Sequence, residues 1–269
     1  MRSVTDHGTD KQSGQRDPAL EETFERTVEE GERRLSRTWP MLVSTGLVGG
    51  IDVSIGVFGL LVVRAETKSV LLSALAFGIG FIALTLANSE LFTENFLVPL
   101  AAVIAHRSRP RSLVRLWIGT ALANLVGGWV VTGIIMTALP GLGQVAVDIA
   151  RVYPDLGLGW RSFALAVLGG MVITLMTWME KGSTDMAGKL VAAVSASFLL
   201  AAGTLNHAIV VSLELFAALH SGAPFGYADW LGVFLWASLG NLVGGIGLVS
   251  LLRLVQVGAA KVVEERNRS

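Results

Sequence analysis

The string Asn-Leu-Val-Gly-Gly occurs at 124–128 and again at 241–245, 117 residues later (241 − 124). The same shift superimposes much more of the chain. It carries the apolar run 41–63 onto 158–180, again largely apolar, and the polar interruption 89–95 onto 206–212, another break in an apolar stretch. Three hydrophobic stretches therefore repeat as three, in one register. If each stretch crosses a bilayer, an odd number per half makes the second half enter from the opposite face. The result is a 3+3 inverted repeat, with broken helices at corresponding places, near which such proteins put their permeation site. For the repeated string itself the plain reading is a helix-packing surface.

Composition agrees with a membrane chain. Of 269 residues, 52% are hydrophobic and 16% charged, where a soluble domain carries nearer a quarter charged. A crossing helix needs about 20 apolar residues. Six spans are predicted: 41–63, 70–88 continued after a break by 96–105, 113–139, 160–179, 190–202 continued by 208–219, and 230–254. The expected fold class is an all-α polytopic membrane protein with six transmembrane helices, the second and fifth broken. Glycine is abundant, and Gly46/Gly50, Gly119/Ala123/Gly127 and Gly240/Gly244 have the small-xxx-small spacing that lets membrane helices approach closely. The absence of cysteine excludes disulfides, thiolate catalysis and cysteine metal sites.

The distribution of Lys and Arg sets the expected orientation. Thirteen lie on one side, among them Arg33, Arg34, Arg37, Arg107 to Arg115, Lys181, Lys189 and Arg253, against four on the other: Arg64, Lys68, Arg151 and Arg161. Both termini are thus expected in the cytoplasm of an inner-membrane, multi-pass protein. Residues 1–40 read as a cytoplasmic segment and 41–255 as the channel domain, with 256–269 as a cytoplasmic tail. Within the first segment, residues 1–17 read as disordered, with no leader to be removed. Residues 18–37 read as an amphipathic helix lying on the membrane or on a neighbouring subunit. The stretch 140–159, with its Gly, Pro and Asp content, reads as a surface loop.

The two interruptions carry the chemistry. In Asn88-Ser89-Glu90-Leu91-Phe92-Thr93-Glu94-Asn95, six polar side chains fall among apolar neighbours. Non-helical backbone at membrane depth is tolerated only where protein or a water-filled cavity satisfies it. Asn, Ser and Thr also offer local hydrogen bonds that compete with helix. The second interruption is Gly203-Thr204-Leu205-Asn206-His207. An ionisable group at mid-bilayer is costly and usually faces a pathway, and His is the side chain whose ordinary pKa lies near neutrality. The 117-residue shift places His207 opposite Glu90. The candidate pore and proton-exchange residues are therefore His207, Thr93, Asn206 and Glu90.

The order of Glu-Leu-Phe-Thr at 90–93, Asn124, Trp178-Met179, His207 and Asn241 on six spans resembles the formate/nitrite transporter family. The resemblance runs from about residue 41 to 254. It implies an aquaporin-like fold, a homopentamer with one pore per protomer, and passage of small monovalent weak-acid anions, with no cofactor and no metal. By position it implies an Ω-loop of Leu91, Phe92 and Thr93 beside His207, and a hydrophobic constriction that also includes Phe77, Phe81, Ile173 and Leu200. In that setting Thr93 would orient the imidazole. A bare anion in an apolar constriction bears a penalty of at least several kcal/mol, and a neutral acid only about 1–3 kcal/mol. Taking a proton from a His near 6.5 to an acid near 4 costs roughly 3.4 kcal/mol. Protonation at the constriction is therefore a workable route.

Several positions depart from the family. Asn206 stands where a Glu is common, Gly170 where a pore-facing Asn is expected, and the outer-vestibule Lys has no match, with Arg151 or Arg161 as candidate substitutes. Asp52, Glu94 and Glu214 are extra carboxylates, treated as possible modulators; acids on a pathway repel anions. They make a pore for a neutral or cationic solute such as ammonia/ammonium the alternative. A membrane-embedded enzyme lacks support from any HExxH, GxSxG or Walker string. A non-conducting receptor is the remaining rival. The expected partners are a small-molecule solute, the lipid bilayer and other copies of the chain, with no nucleic acid.

Overall fold

The computed structural model describes residues 18–258, and the described part is helical throughout. The readings of 1–17 as disordered and of 259–269 as tail lie outside the described residues. The elements are α1 (Pro18–Leu35), α2 (Trp39–Thr67), α3 (Val70–Ala87), α4 (Val98–Ile104), α5 (Pro110–Ala138), α6 (Gly143–Ala150), α7 (Val152–Leu156), α8 (Trp160–Gly182), α9 (Met186–Ala202), α10 (Ala208–His220), α11 (Tyr227–Leu242) and α12 (Leu251–Val257). A π-helical stretch, Val243–Ser250, joins α11 to α12. Five helices are long and apolar enough to cross a membrane: α2, α3, α5, α8 and the continuous rod Tyr227–Val257. The fifth predicted span, expected to be broken, is two shorter apolar helices, α9 and α10, on either side of the second interruption.

The duplication is visible in packing. α2 lies against α3 and α5, and α8 against α9 and α11. Glycines permit these approaches. A Cβ at Gly50 would strike the backbone of Asn124, and one at Gly170 the backbone of Asn241. Gly127 and Gly244, the fourth residues of the two repeated strings, likewise press on the backbones of Leu47 and Val167. The packing-surface reading of the string is therefore correct for its glycines. Gly170 is not a vacant pore position, since an asparagine there would collide with its neighbouring helix. On the outside, α5 exposes Val114, Ile118, Leu122, Val126, Val130 and Ile134, a stripe at helical spacing that suits lipid or another apolar surface.

Two expectations need correction. α1, expected on the membrane or on a neighbouring subunit, packs against its own chain. Phe24 and Val28 are buried with Leu97, Ala101 and Ala105 of the α4 region, and Gly31 lets the helix come against the Val98 carbonyl. Ionic contacts hold it as well: Arg34 and Arg37 both reach the Glu90 carboxylate, and Arg34 Nε also meets Glu30 Oε1 at 2.9 Å. The stretch 140–159 is not an open loop. It forms α6 and α7 and packs on α10, with Ala146, Ala150 and Tyr153 buried.

Burial works against the Glu30 carboxylate, yet Arg34 and Lys181 hold its pKa down to about 2 from 4.5. A lowered carboxylate adds stability that is complete above its unfolded value and lost as pH falls through the folded one. Docking of α1 should therefore loosen as pH falls from about 4.5 to about 2; limited proteolysis within α1 reads this, and E30Q should remove that component. Gly170→Asn should cost about 1–3 kcal/mol through overpacking. Its readout is a lower thermal midpoint in detergent; wild-type stability with increased anion flux would show that the amide fits after all.

Candidate functional site

Buried backbone that leaves a helix must find other hydrogen-bond partners, and two asparagines supply them in matching fashion. α3 ends at Asn88, which adopts a left-handed conformation (φ 52°), and the chain turns back through a short 3-10 helix, Phe92–Phe96, before α4. Asn124 of α5 donates through Nδ2 to the carbonyls of Gly46 (2.7 Å) and Glu90 (2.8 Å), and its Oδ1 accepts the Phe92 N–H (2.8 Å). In the other half, Asn241 donates to the carbonyls of Ala166 (2.7 Å) and Asn206 (3.0 Å) and accepts the Ala208 N–H (2.9 Å). The strings flagged by the repeat thus deliver one clamp to each break.

These bonds correct the register. Gly46 matches Ala166 (166 − 46 = 120), while Glu90 matches Asn206 and Phe92 matches Ala208 (208 − 92 = 116). The residue opposite Glu90 is Asn206, and His207 stands opposite Leu91. The difference arises because insertions of a few residues accumulate differently in each half. Glu90 is fully engaged: its carboxylate binds Arg34 (3.0 Å) and Arg37, and its carbonyl binds Asn124. It is therefore not placed as a partner of His207. Among the described residues Asn206 has no such cations, and its Oδ1 has no hydrogen-bond partner. A neutral amide suits that setting.

Thr93 and His207, 114 residues apart, do meet, with Thr93 Oγ1 and His207 Nε2 separated by 2.6 Å and both residues fully buried. His207 is also the N-cap of α10, its Nδ1 accepting the Val210 N–H at 3.3 Å. A backbone N–H can only donate, so Nδ1 carries no proton and the neutral ring donates from Nε2 to the threonine oxygen. The Thr93 hydroxyl has no other hydrogen-bond partner among the described residues, leaving its own O–H for a third party.

Around the pair lies an apolar layer. Phe77, Phe81, Leu91, Phe92, Ile173 and Leu200 belong to one buried cluster, with the Phe77 and Phe81 rings 5.5 Å apart. Phe92 also meets Phe96 edge to face and borders an apolar hollow with Trp117 and Phe234. Polar cavities flank the layer. The larger, about 710 Å³, includes Leu84, Thr85, Asn88 and Ser89, and is ringed by Arg33, Arg34, Arg37, Lys181 and Lys189 against Glu30, Glu94 and Glu180. The smaller, about 220 Å³, includes Val70, Ser73 and Ala74 from the other end of α3, with Arg64, Asp148, Tyr153, Thr204 and Glu214. From Ala74 to Leu84 along α3 is roughly 15 Å.

The extra carboxylates separate here. Asp52 accepts from Ser89 Oγ at 2.6 Å and steadies the turn after α3. Glu94 lines the larger cavity and Glu214 the smaller, each nearly fully buried with one oxygen unpartnered among the described residues. Arg151 instead pairs with Asp155 at 3.5 Å, and neither it nor Arg161 lines the smaller cavity. Arg64 does. Sequence reasoning registered Arg64 only as a charge on the less basic side; that charge near the end of an apolar helix was the available signal.

Comparison with known proteins accords with this architecture. The formate/nitrite transporter family model matches residues 21–255. The inner membrane protein YfdC of Escherichia coli is 26% identical over 247 residues, covering 85% of this chain and 76% of that protein. The formate channel BtFdhC of Bacillus thuringiensis is 24% identical over 249 residues, covering 85% and 92%. Among solved structures, an FNT family ion channel superposes with a TM-score of 0.79 at 18% identity, covering 87% of this chain and 98% of that one. The broken helices, the paired asparagine clamps and the match across nearly the whole described region have one conclusion: the chain belongs to the formate/nitrite transporter family.

Proposed function

We propose that this protein passes small monovalent weak-acid anions, such as formate or nitrite, across the inner membrane, with Thr93 and His207 at the waist of the path. The observation that supports it is the fully buried Thr93–His207 hydrogen bond, beside an apolar cluster and with polar cavities lined by the two ends of α3. A solute leaving one cavity for the other must shed water in an apolar layer, where an ion costs several kcal/mol and a neutral acid far less. The free Thr93 hydroxyl offers a hydrogen bond to an oxygen of the passing solute. Five basic against three acidic side chains around the larger cavity favour anions at its mouth. The formate-channel relative and a pentameric formate channel solved with formate bound, at 20% identity and TM-score 0.68, are consistent with this substrate class and with assembly as a homopentamer. In that reading α9 and α10 together make the fifth of six crossings, the exposed stripes meet lipid or sister subunits, and the basic side faces the cytoplasm with both termini.

Proton exchange at His207 is part of the proposal and has a definite structural condition. Protonating Nδ1 sets an N–H against the Val210 N–H, so the α10 cap must open as the ring becomes cationic. The second reading, a pore for ammonia or ammonium, is favoured by the unpaired oxygens of Glu94 and Glu214.

Flux in proteoliposomes tests the assignment. His207→Asn keeps a good helix cap and removes the ring; formate and nitrite flux should fall at least about tenfold, as for loss of an acid–base group. Wild-type flux in this variant would end the role given to the imidazole. Thr93→Val, nearly isosteric, should leave Nε2–H unpaired at a cost of about 1–3 kcal/mol, visible as lower stability and slower flux together. Ammonium flux exceeding formate flux in the wild-type chain would select the second reading.

A further inference from the structure

An anion that enters the apolar layer as its neutral acid needs a proton before it reaches His207, where exchange can follow, and at that first step the bonds of His207 make it an awkward donor. Its one ring proton lies on Nε2 against Thr93, and its other nitrogen is occupied in capping α10. The smaller cavity holds a better-placed acid. Glu214 lies seven residues beyond His207 on α10, two turns on along the same face and roughly 10 Å away along the axis. It is nearly fully buried, its Oε2 has no hydrogen-bond partner among the described residues, and it lines the 220 Å³ cavity. Tyr153 of α7 lines the same cavity. Burial, and then the neighbouring Glu214, push the Tyr153 phenol well above its ordinary value, so the phenol remains a donor.

The charged surroundings of Glu214 are few. α2 contributes Arg64, which forms no ion pair among the described residues, and α6 contributes Asp148, whose Oδ1 accepts from Gln144 at 2.9 Å. α3 and the turn after α9 contribute the neutral Ser73 and Thr204; α5 and α11 contribute no charged side chain to the cavity lining. A buried carboxyl with an unpaired oxygen costs less as the neutral acid than as the ion.

We infer that Glu214 is the proton donor of the smaller cavity, passing its proton to a weak-acid anion that Arg64 has drawn in. The inference rests on the transport reading above. The Oε2–H bond breaks as an O–H bond forms on an oxygen of the solute, so the carboxylic acid becomes a carboxylate and the anion a neutral acid. The neutral acid enters the dry layer. The carboxylate, meanwhile sharing its cavity with Tyr153 and Arg64, regains a proton from water at the mouth. One proton accompanies each anion, and for exit the sequence runs in reverse. Glu214 thereby removes the contradiction of an acidic group on an anion path, since the side chain meets the anion as an acid.

The experiment measures formate uptake and the accompanying internal pH change in proteoliposomes of the full chain, with protein-free vesicles as the baseline. Glu214→Gln should slow uptake at neutral external pH by about tenfold or more and flatten its dependence on external pH. Arg64→Gln should raise the half-saturating formate concentration and leave the pH profile in place. If E214Q keeps the wild-type rate and profile while His207→Asn is inactive, the inference is overturned and the transport reading stands. A wild-type chain that moves neither formate nor nitrite removes both. Should E214Q fail to assemble, Glu214→Asp keeps the acid but withdraws it by one methylene. It should then slow uptake and shift the infrared band of the protonated carboxyl; an unchanged rate and band would overturn the inference.

Discussion

Everything at the centre of this molecule depends on hydrogen-bonding a backbone that has left its helix where water is scarce. Asn124 and Asn241 do this with three bonds each, tying the broken segment to a neighbouring helix carbonyl on one side and to the restarting chain on the other. Only a side-chain amide offers a carbonyl acceptor and two N–H donors in one planar group. Once both breaks are fixed, Thr93 and His207 are presented to one another by rigid surroundings. The close glycine contacts serve the same end, because a clamp works only if the clamping helix can approach its target.

On this shared frame the halves diverge. The first break is reached by α1, whose Arg34 and Arg37 neutralise Glu90; for Arg34, burial opposes the charge, but Glu90 and Glu30 together raise the guanidinium above its ordinary value. In the second half α6 packs on α10 as α1 packs on α4, but it carries no guanidinium, and Asn206 replaces the carboxylate. The cavities differ accordingly, one wide and rich in basic groups, the other small and built around Arg64, Tyr153 and Glu214. Symmetry is kept where backbone must be satisfied and abandoned where solute is met.

Much of this was legible in the sequence. A five-residue identity and the spacing of apolar runs gave the duplication and both breaks, while the Thr93–His207 pair followed from the resemblance to the transporter family. The constant shift failed at the level of single residues, since one number cannot absorb unequal helix and turn lengths; Asn206 and not His207 therefore answers Glu90. The docking of α1 was hidden because it depends on ion pairs across more than fifty positions, such as Arg37 to Glu90. The helices at 140–159 were hidden because their Gly and Pro content resembles a turn, and only burial of Tyr153 and Ala150 against α10 reveals them. The fit of Gly170 required knowing which backbone faces it.

Histidine is an unusual choice to begin a helix, a place where Ser, Asp or Asn does well, yet α10 begins on His207 with its ring nitrogen as the cap. Position 207 consequently answers two demands at once. A ring that swivels must unfasten the first turn of α10, so imidazole motion and helix fraying are a single event. Exchange of the Val210 amide hydrogen is therefore a local reporter on how often that ring lets go.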